Sequence, residues 1–121
     1  MIHLQKNIIV TSMGHFLAHA MTMILPAILF ILGKEFSISL IYLGELATIQ
    51  ILFMGLGGFP AGFLAERFGS RMVLLIYFAG LTISAVWLYF STTFIMAAYG
   101  LGFLGLVSGL YHPAGLKMIS H

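Results

Sequence analysis

The sequence predicts an all-α membrane protein with four transmembrane helices. Two observations carry this prediction. Of the 121 residues, 61% are hydrophobic and only 7% are charged, whereas a soluble domain has about 25% charged residues. The apolar residues form four long runs separated by short polar breaks, and each run supplies the roughly 20 residues that a helix needs to cross a bilayer. We therefore expect residues 1–121 to form a single transmembrane helical unit.

The runs place the four spans at about residues 8–32, 40–65, 72–90 and 93–119. Pro26 lies inside the first span and should kink it, because proline offers no N–H to the carbonyl of Thr22. Ser39 precedes the second span as a candidate N-cap. Pro113 interrupts the fourth span near its end and should kink it for the same reason.

The distribution of cations predicts the orientation of the chain in the lipid bilayer. Lys6, Arg67, Arg71 and Lys117 fall on one side of a four-span topology, and only Lys34 falls on the other. Cytoplasmic loops are enriched in Lys and Arg, so we expect a multi-pass protein of the cell (inner or plasma) membrane with both termini cytoplasmic. The net charge of +2 comes from these helix ends rather than from a basic patch, so no nucleic-acid partner is expected.

Glycines mark the predicted helix contacts. Gly58 and Gly62 lie four residues apart in the second span, and Gly105 and Gly109 have the same spacing in the fourth. Small residues at this spacing let two helix backbones approach closely in a membrane. We therefore expect both spans to pack against neighbouring helices.

Four polar side chains within the spans are candidates for a substrate or proton pathway, namely His15, His19, Gln50 and His112. His15 and His19 share one helix face near mid-bilayer, where ionisable groups usually face a bundle interior or an aqueous cavity. Imidazole also changes charge near physiological pH. The alternatives are neutral imidazoles bonded to neighbouring helices, a helix–helix hydrogen bond from Gln50, and a kink-stabilising role for His112 beside Pro113.

No enzyme, metal or cofactor chemistry is predicted. His15 and His19 supply two metal ligands, but no cysteine or acidic residue lies near them, so we expect no metal site. The chain has no cysteine at all, which excludes disulfides, thiolate sites and cysteine nucleophiles. No Ser/His/Asp set, phosphate-binding loop or carboxylate pair is present, so we expect neither catalysis nor a bound cofactor.

A charged stretch, Gly62-Phe-Leu-Ala-Glu-Arg-Phe-Gly-Ser-Arg71, separates the second and third spans. Glu66 at a helix C-terminus and Arg71 at a helix N-terminus both oppose the local helix dipoles, so local helix energetics explain neither residue. We expect Glu66 to pair with Arg67 or Arg71, or to reach a partner outside this hairpin. The alternative is a plain charged turn whose ion pair contributes ~0–1 kcal/mol.

This stretch resembles the loop between the second and third helices of the major facilitator superfamily, which reads Gly-x-Leu-Ala-Asp-Arg-x-Gly-Arg-Arg. Glu66 replaces the usual Asp, and Ser70 replaces the first of two basic residues. In that family the acidic residue contacts a helix of the other half and helps to hold the outward-facing state. The resemblance therefore assigns a gating role to Gly58, Gly62, Glu66, Arg67, Gly69 and Arg71.

Two further stretches, Gly14-His15…His19…Leu25-Pro26 and Tyr111-His112-Pro113-Ala114-Gly115, resemble drug-efflux members related to fosmidomycin resistance proteins. This resemblance implies a proton-coupled exporter of small drug-like or metabolite molecules. Members of the superfamily have twelve helices in two halves and bind substrate between the halves. The chain is therefore expected to be an N-terminal fragment that requires the missing C-terminal helices or a complementary subunit, and not to transport alone.

Two other interpretations remain open. The chain could be a self-contained four-helix transporter that works as a dimer, similar to the small multidrug resistance proteins, although its first span lacks the glutamate that those carry. It could also be a non-transporting membrane scaffold subunit whose glycine faces dock a partner.

Overall fold

The computed structural model describes residues 2–120, with the side chains of residues 5–24 and 26–120. The described chain contains five helices, which are α1 (Ile2–Glu35), α2 (Leu40–Phe68), α3 (Ser70–Tyr89), α4 (Phe94–Gly109) and α5 (Tyr111–Ser120). Four segments are long and apolar enough to cross a membrane, because α4 and α5 together make one span from Phe94 to Ser120. The predicted fold class, all-α with four transmembrane helices, is confirmed.

The helix ends differ from the predicted span ends at the start of α1 and in the charged stretch. α1 already begins at Ile2, before the predicted start at residue 8. α2 continues through Phe68 and α3 begins at Ser70, so Gly69 alone connects them, with φ 84° and ψ 147°. Glycine adopts a positive φ without the steric cost that a Cβ brings. The charged stretch is therefore the last turn of one helix joined directly to the first turn of the next.

The fourth span is broken at Leu110, as the position of Pro113 predicts. Proline at 113 cannot donate to the carbonyl of Gly109, and α4 ends at that residue. The N–H of Leu110 instead donates to the carbonyl of Val107 over 3.1 Å, the tighter bonding of a 3₁₀ turn. Within α1, the helix runs through Pro26 without ending, so the predicted kink there stays a prediction.

α2 and α4 form the most extensive helix pair in the described chain, and their backbones touch at glycines. A Cβ added to Gly57 would collide with the carbonyl oxygen of Leu106, and one added to Gly105 would collide with that of Gln50. Gly109 likewise leaves no room for a side chain. Helices pack this closely in membranes only where side chains are absent, so the predicted role of the glycines in the fourth span is confirmed.

On α2 the close contact with α4 is at Gly57, one residue before the predicted pair Gly58 and Gly62. A Cβ on Gly58 would stand 3.5 Å from the carbonyl oxygen of Gly109, an ordinary van der Waals distance, and one on Gly62 would meet nothing within 4 Å. The small residues that meet the neighbouring helices are Gly57 and Ala61, of which Ala61 is fully buried. The two adjacent stripes have the same four-residue spacing, so spacing alone does not distinguish them.

Two residues of α5, Tyr111 and Lys117, attach it to the rest of the bundle. The Tyr111 ring packs 5.1 Å, centroid to centroid, from that of Tyr77 on α3, and its hydroxyl donates to the carbonyl of Thr11 on α1. At the far end of α5, Lys117 Nζ donates to the carbonyl of Ala65 over 3.2 Å. That carbonyl belongs to the last turn of α2, where carbonyls lack helical partners and a cation is favourable. These bonds hold α5 against α1, α2 and α3.

The glycine contact yields a prediction for helix packing. We expect Gly105→Ala to lower the free energy of unfolding by about 1–3 kcal/mol or more, because the added methyl overlaps the α2 backbone. The measurement is thermal unfolding of the purified chain in detergent, followed by circular dichroism. Gly55→Ala in α2 is the matched control, because a Cβ there meets nothing within 4 Å. Equal melting temperatures for the two variants would contradict this packing.

Candidate functional site

The structure brings the four candidate pathway residues together. His19, Gln50 and His112 line one cavity of about 360 Å³ between α1, α2 and the junction of α4 with α5. His15 lines a second cavity of about 300 Å³. His112 lines both cavities, so the four residues lie around two cavities that share one wall residue.

The three histidines form a cluster on one side of the bundle. The Nε2 atoms of His15 and His19 are 2.9 Å apart and share a hydrogen bond. The ring centroid of His112 lies 5.5 Å from that of His15 and 5.8 Å from that of His19. All three side chains are exposed. Hydrocarbon solvates imidazole poorly, so this side of the bundle suits contact with water or protein rather than with acyl chains.

Tyr111 packs against two members of the histidine cluster, His15 and His112. Its ring stacks on His15, with centroids 5.9 Å apart and planes inclined by 12°. Gly14 and Gly115 make room for this ring, because a Cβ on Gly14 would lie 2.8 Å from Cε2 and one on Gly115 would lie 3.2 Å from Cζ. The bond from its hydroxyl to the carbonyl of Thr11 fixes the ring between α1 and α5. Tyr111 therefore sets the position of the adjacent His112 relative to α1.

Two buried polar side chains in the larger cavity have no protein partner in the part of the chain that is described. The Nε2 atom of Gln50 and the Oγ atom of Ser108 make no hydrogen bond, although these residues are only 4% and 3% exposed. An unpaired buried polar group costs about 1–3 kcal/mol. Groups of this kind are typical of a site in which a ligand or water supplies the missing partner.

The rest of the larger cavity is mostly apolar. α2 contributes Ala47, Ile51 and Met54, and α1 contributes Met23 and Pro26. A cavity with apolar walls and a few convergent polar groups is typical of small-molecule sites. The arrangement therefore suits a molecule with an apolar body and one or two polar groups.

The charged stretch contains no ion pair of the predicted kind. Glu66, Arg67 and Arg71 are all exposed, and neither arginine forms an ion pair with Glu66 in the structure. The guanidinium of Arg67 instead lies 5.6 Å from the ring centroid of Phe68, within the range of a cation–π interaction. The expected partner of Glu66 outside the hairpin stays a prediction.

A family model described as Major Facilitator Superfamily matches residues 11–121 of the chain. The chain belongs to the Major Facilitator Superfamily. Its family function is transmembrane transport of small molecules, and its four apolar helices make it a multi-pass membrane protein. No curated protein and no solved structure matches it. The superfamily resemblance of residues 58–71 is confirmed, and the relation to fosmidomycin resistance proteins stays a prediction.

For a major facilitator protein, the 360 Å³ cavity is the candidate substrate site. Ser108 and Tyr111 belong to this region but were not among the predicted pathway residues. A small hydroxyl residue in a glycine-rich helix gives little signal in the sequence, because it is also common at plain helix contacts. Tyr111 gave a stronger signal, since an aromatic residue with a polar group stands beside His112 at an interrupted helix.

Tyr77 and Tyr111 are predicted to differ in how much their hydroxyl groups contribute to stability. Tyr77 is fully buried and its hydroxyl has no partner among the described residues, so Tyr77→Phe should leave stability unchanged or raise it. Tyr111→Phe removes the bond to Thr11 and should lower the free energy of unfolding by about 1 kcal/mol. Thermal unfolding in detergent measures both variants. A larger loss in Tyr77→Phe than in Tyr111→Phe would contradict this hydrogen-bond assignment.

Proposed function

We propose that this chain forms part of a proton-coupled exporter of small drug-like or metabolite molecules. The observation that carries the proposal is the 360 Å³ cavity, which three transmembrane segments enclose and His19, Gln50 and His112 line. Its polar groups are few and lie among apolar walls, as expected for an amphipathic substrate. Proton coupling and outward transport are inferred from the resemblance to drug-efflux members of the superfamily.

The side of the bundle that carries the histidine cluster is proposed to face further helices. Polar side chains at this depth are costly in hydrocarbon, and three exposed imidazoles stand there together. The helices that cover this side would be the C-terminal helices of the superfamily architecture or a complementary subunit. Substrate would then bind between them and the cavity described above.

The charged stretch is proposed to act as the gate that the resemblance implies. Gly62 has no heavy atom within 4 Å of an added Cβ, so another helix can approach α2 there. Glu66 is exposed at the last turn of α2, where its carboxylate can reach such a helix. Gly69 alone connects α2 with α3, so the proposed gate lies at the junction of these two helices. The proposed gating residues are Gly58, Gly62, Glu66, Arg67, Gly69 and Arg71.

The proposed location is the cell membrane, with both ends of the chain in the cytoplasm. The bond from Lys117 to the carbonyl of Ala65 brings the last turn of α5 beside the last turn of α2. Arg67 and Arg71 follow directly, so these cations share one end of the bundle. Cytoplasmic ends of membrane proteins are enriched in Lys and Arg, which supports this orientation.

Water access to the cavity can be measured because the chain has no cysteine. We expect Thr22→Cys, in the cavity wall, to react with a membrane-impermeant thiol reagent. Ile83→Cys on the exposed surface of α3 is the control and should stay unmodified, because a thiol in hydrocarbon does not ionise. Equal labelling of the two variants would contradict an aqueous pathway at this face.

Transport itself is tested by efflux of a fluorescent dye from cells. We expect efflux when the chain is expressed together with helices that complete the superfamily architecture, and its loss when an uncoupler removes the proton gradient. Gln50→Leu should reduce the rate by about two- to tenfold, since a neutral hydrogen bond to a bound substrate is worth about 0.5–1.5 kcal/mol. Gly55→Ala serves as the control and should retain the rate.

Two outcomes would overturn this proposal. Dye efflux by the chain expressed alone would show that no further helices are needed. Efflux that persists without a proton gradient would exclude proton coupling.

A further inference from the structure

The histidine cluster has the composition and spacing of a metal site. One ring nitrogen each from His15, His19 and His112 lies within 4.8 Å of the other two. The Nε2 atoms of His15 and His19 already lie close together, 2.9 Å apart. The third nitrogen belongs to His112 of α5, which is remote from α1 in the sequence. The sequence by itself indicated only two ligands, and the structure adds this third one.

Helix geometry explains why these side chains meet. His15 and His19 are four residues apart on α1, so their side chains lie one above the other on one face. The break at Leu110 ends α4 and starts α5 at Tyr111, and Tyr111 is bonded to the backbone of α1. His112 follows immediately and is therefore held against the same face of α1. The three rings converge because of backbone features rather than through flexible side chains alone.

We propose that His15, His19 and His112 bind one divalent first-row transition-metal ion, of which Zn²⁺ is the reference case. Each residue supplies one ring nitrogen, and a water molecule or an anion occupies the fourth position. Zinc held by three protein ligands, with water in the fourth position, is an established coordination in proteins, as in the three-histidine site of carbonic anhydrase. Binding by the chain does not depend on whether the chain transports.

The ligand set selects the class of ion. Imidazole nitrogen suits zinc, copper and nickel, whereas Mg²⁺ and Ca²⁺ require oxygen ligands. The described cluster contains three histidines and neither a carboxylate nor a thiolate. Magnesium and calcium should therefore bind much more weakly than zinc.

Zinc binding requires only small movements of the three imidazole side chains. Zinc–nitrogen bonds of about 2.0–2.1 Å place two tetrahedral ligands about 3.4 Å apart. A separation of 4.8 Å must then shorten by about 1.4 Å, and the 2.9 Å between the Nε2 atoms of His15 and His19 must lengthen by about 0.5 Å as the ion replaces their hydrogen bond. Rotation of the side chains about their χ angles can supply changes of this size. All three rings are exposed, so an ion can reach them from the open side of the bundle.

The three histidines of the proposed metal site also line the two cavities. His19 lines the larger cavity, His15 lines the smaller one, and His112 lines both. A bound ion would therefore stand where the two cavities meet. There it would add positive charge to the wall of each cavity and attract an anionic group.

The test is zinc titration of the purified full-length chain in detergent, without a polyhistidine tag, against a chromophoric chelator. We expect one Zn²⁺ per chain and no competition from excess Mg²⁺. His19→Gln and His112→Gln should each weaken binding by at least about 10–100-fold, since loss of even an indirect partner of a metal ligand has that effect. The control is the double variant His3→Gln with His121→Gln, which should bind as tightly as the unmodified chain.

A second variant separates loss of a ligand from loss of the fold. Thiolate is a zinc ligand, so His112→Cys should restore zinc binding that His112→Gln removes. Its Co²⁺ complex should show the sulfur-to-cobalt charge-transfer absorption that the unmodified chain lacks. Zinc binding that survives His112→Gln, or that disappears in the control double variant, would overturn the proposal. Absence of stoichiometric binding by the unmodified chain would overturn it as well, whatever the outcome of dye efflux.

Discussion

The contact between the backbones of α2 and α4 is the constraint on which the rest of the structure depends. It exists because Gly57, Gly105 and Gly109 leave no side chain between the two helices. Gly105 contacts the backbone carbonyl of Gln50. The side-chain amide of the same glutamine lines the larger cavity. Ser108, next to Gly109, enters the same cavity from α4. Helix packing and the polar groups of the site are therefore set by one contact.

The interruption of the fourth span has a comparable effect at the other side of the site. Pro113 cannot donate to the carbonyl of Gly109, and the helix is interrupted at Leu110 before α5 starts at Tyr111. The tyrosine bonds to α1 and stacks on His15, which brings His112 to the two histidines of α1. A proline in a membrane helix is tolerated where neighbouring groups satisfy the freed backbone, and here the interrupted stretch carries two members of the side-chain cluster, Tyr111 and His112.

The polar groups of this protein are concentrated on one side of an otherwise apolar bundle. Three imidazoles, the amide of Gln50 and the hydroxyl of Ser108 all lie around the two adjoining cavities. Large apolar side chains elsewhere on the surface, such as Phe59 and Phe16, are 91% and 73% exposed and suit lipid or helix contacts. A Major Facilitator Superfamily protein must offer a transported molecule a path that lipid does not enter. The uneven distribution of polarity is consistent with that requirement.

The sequence by itself determined the class of the protein, the number of spans and the family, because hydropathy, the cation pattern and the motif of residues 58–71 are local properties of the chain. It also identified His15, His19, Gln50 and His112 as polar residues inside the spans. Only the tertiary structure decided that Gly57 rather than Gly62 meets α4, that Glu66 lacks its expected ion pair, and that His112 joins the histidines of α1. Each of these depends on how two helices are rotated about their axes and how closely they approach, and residue spacing along one helix leaves both quantities open.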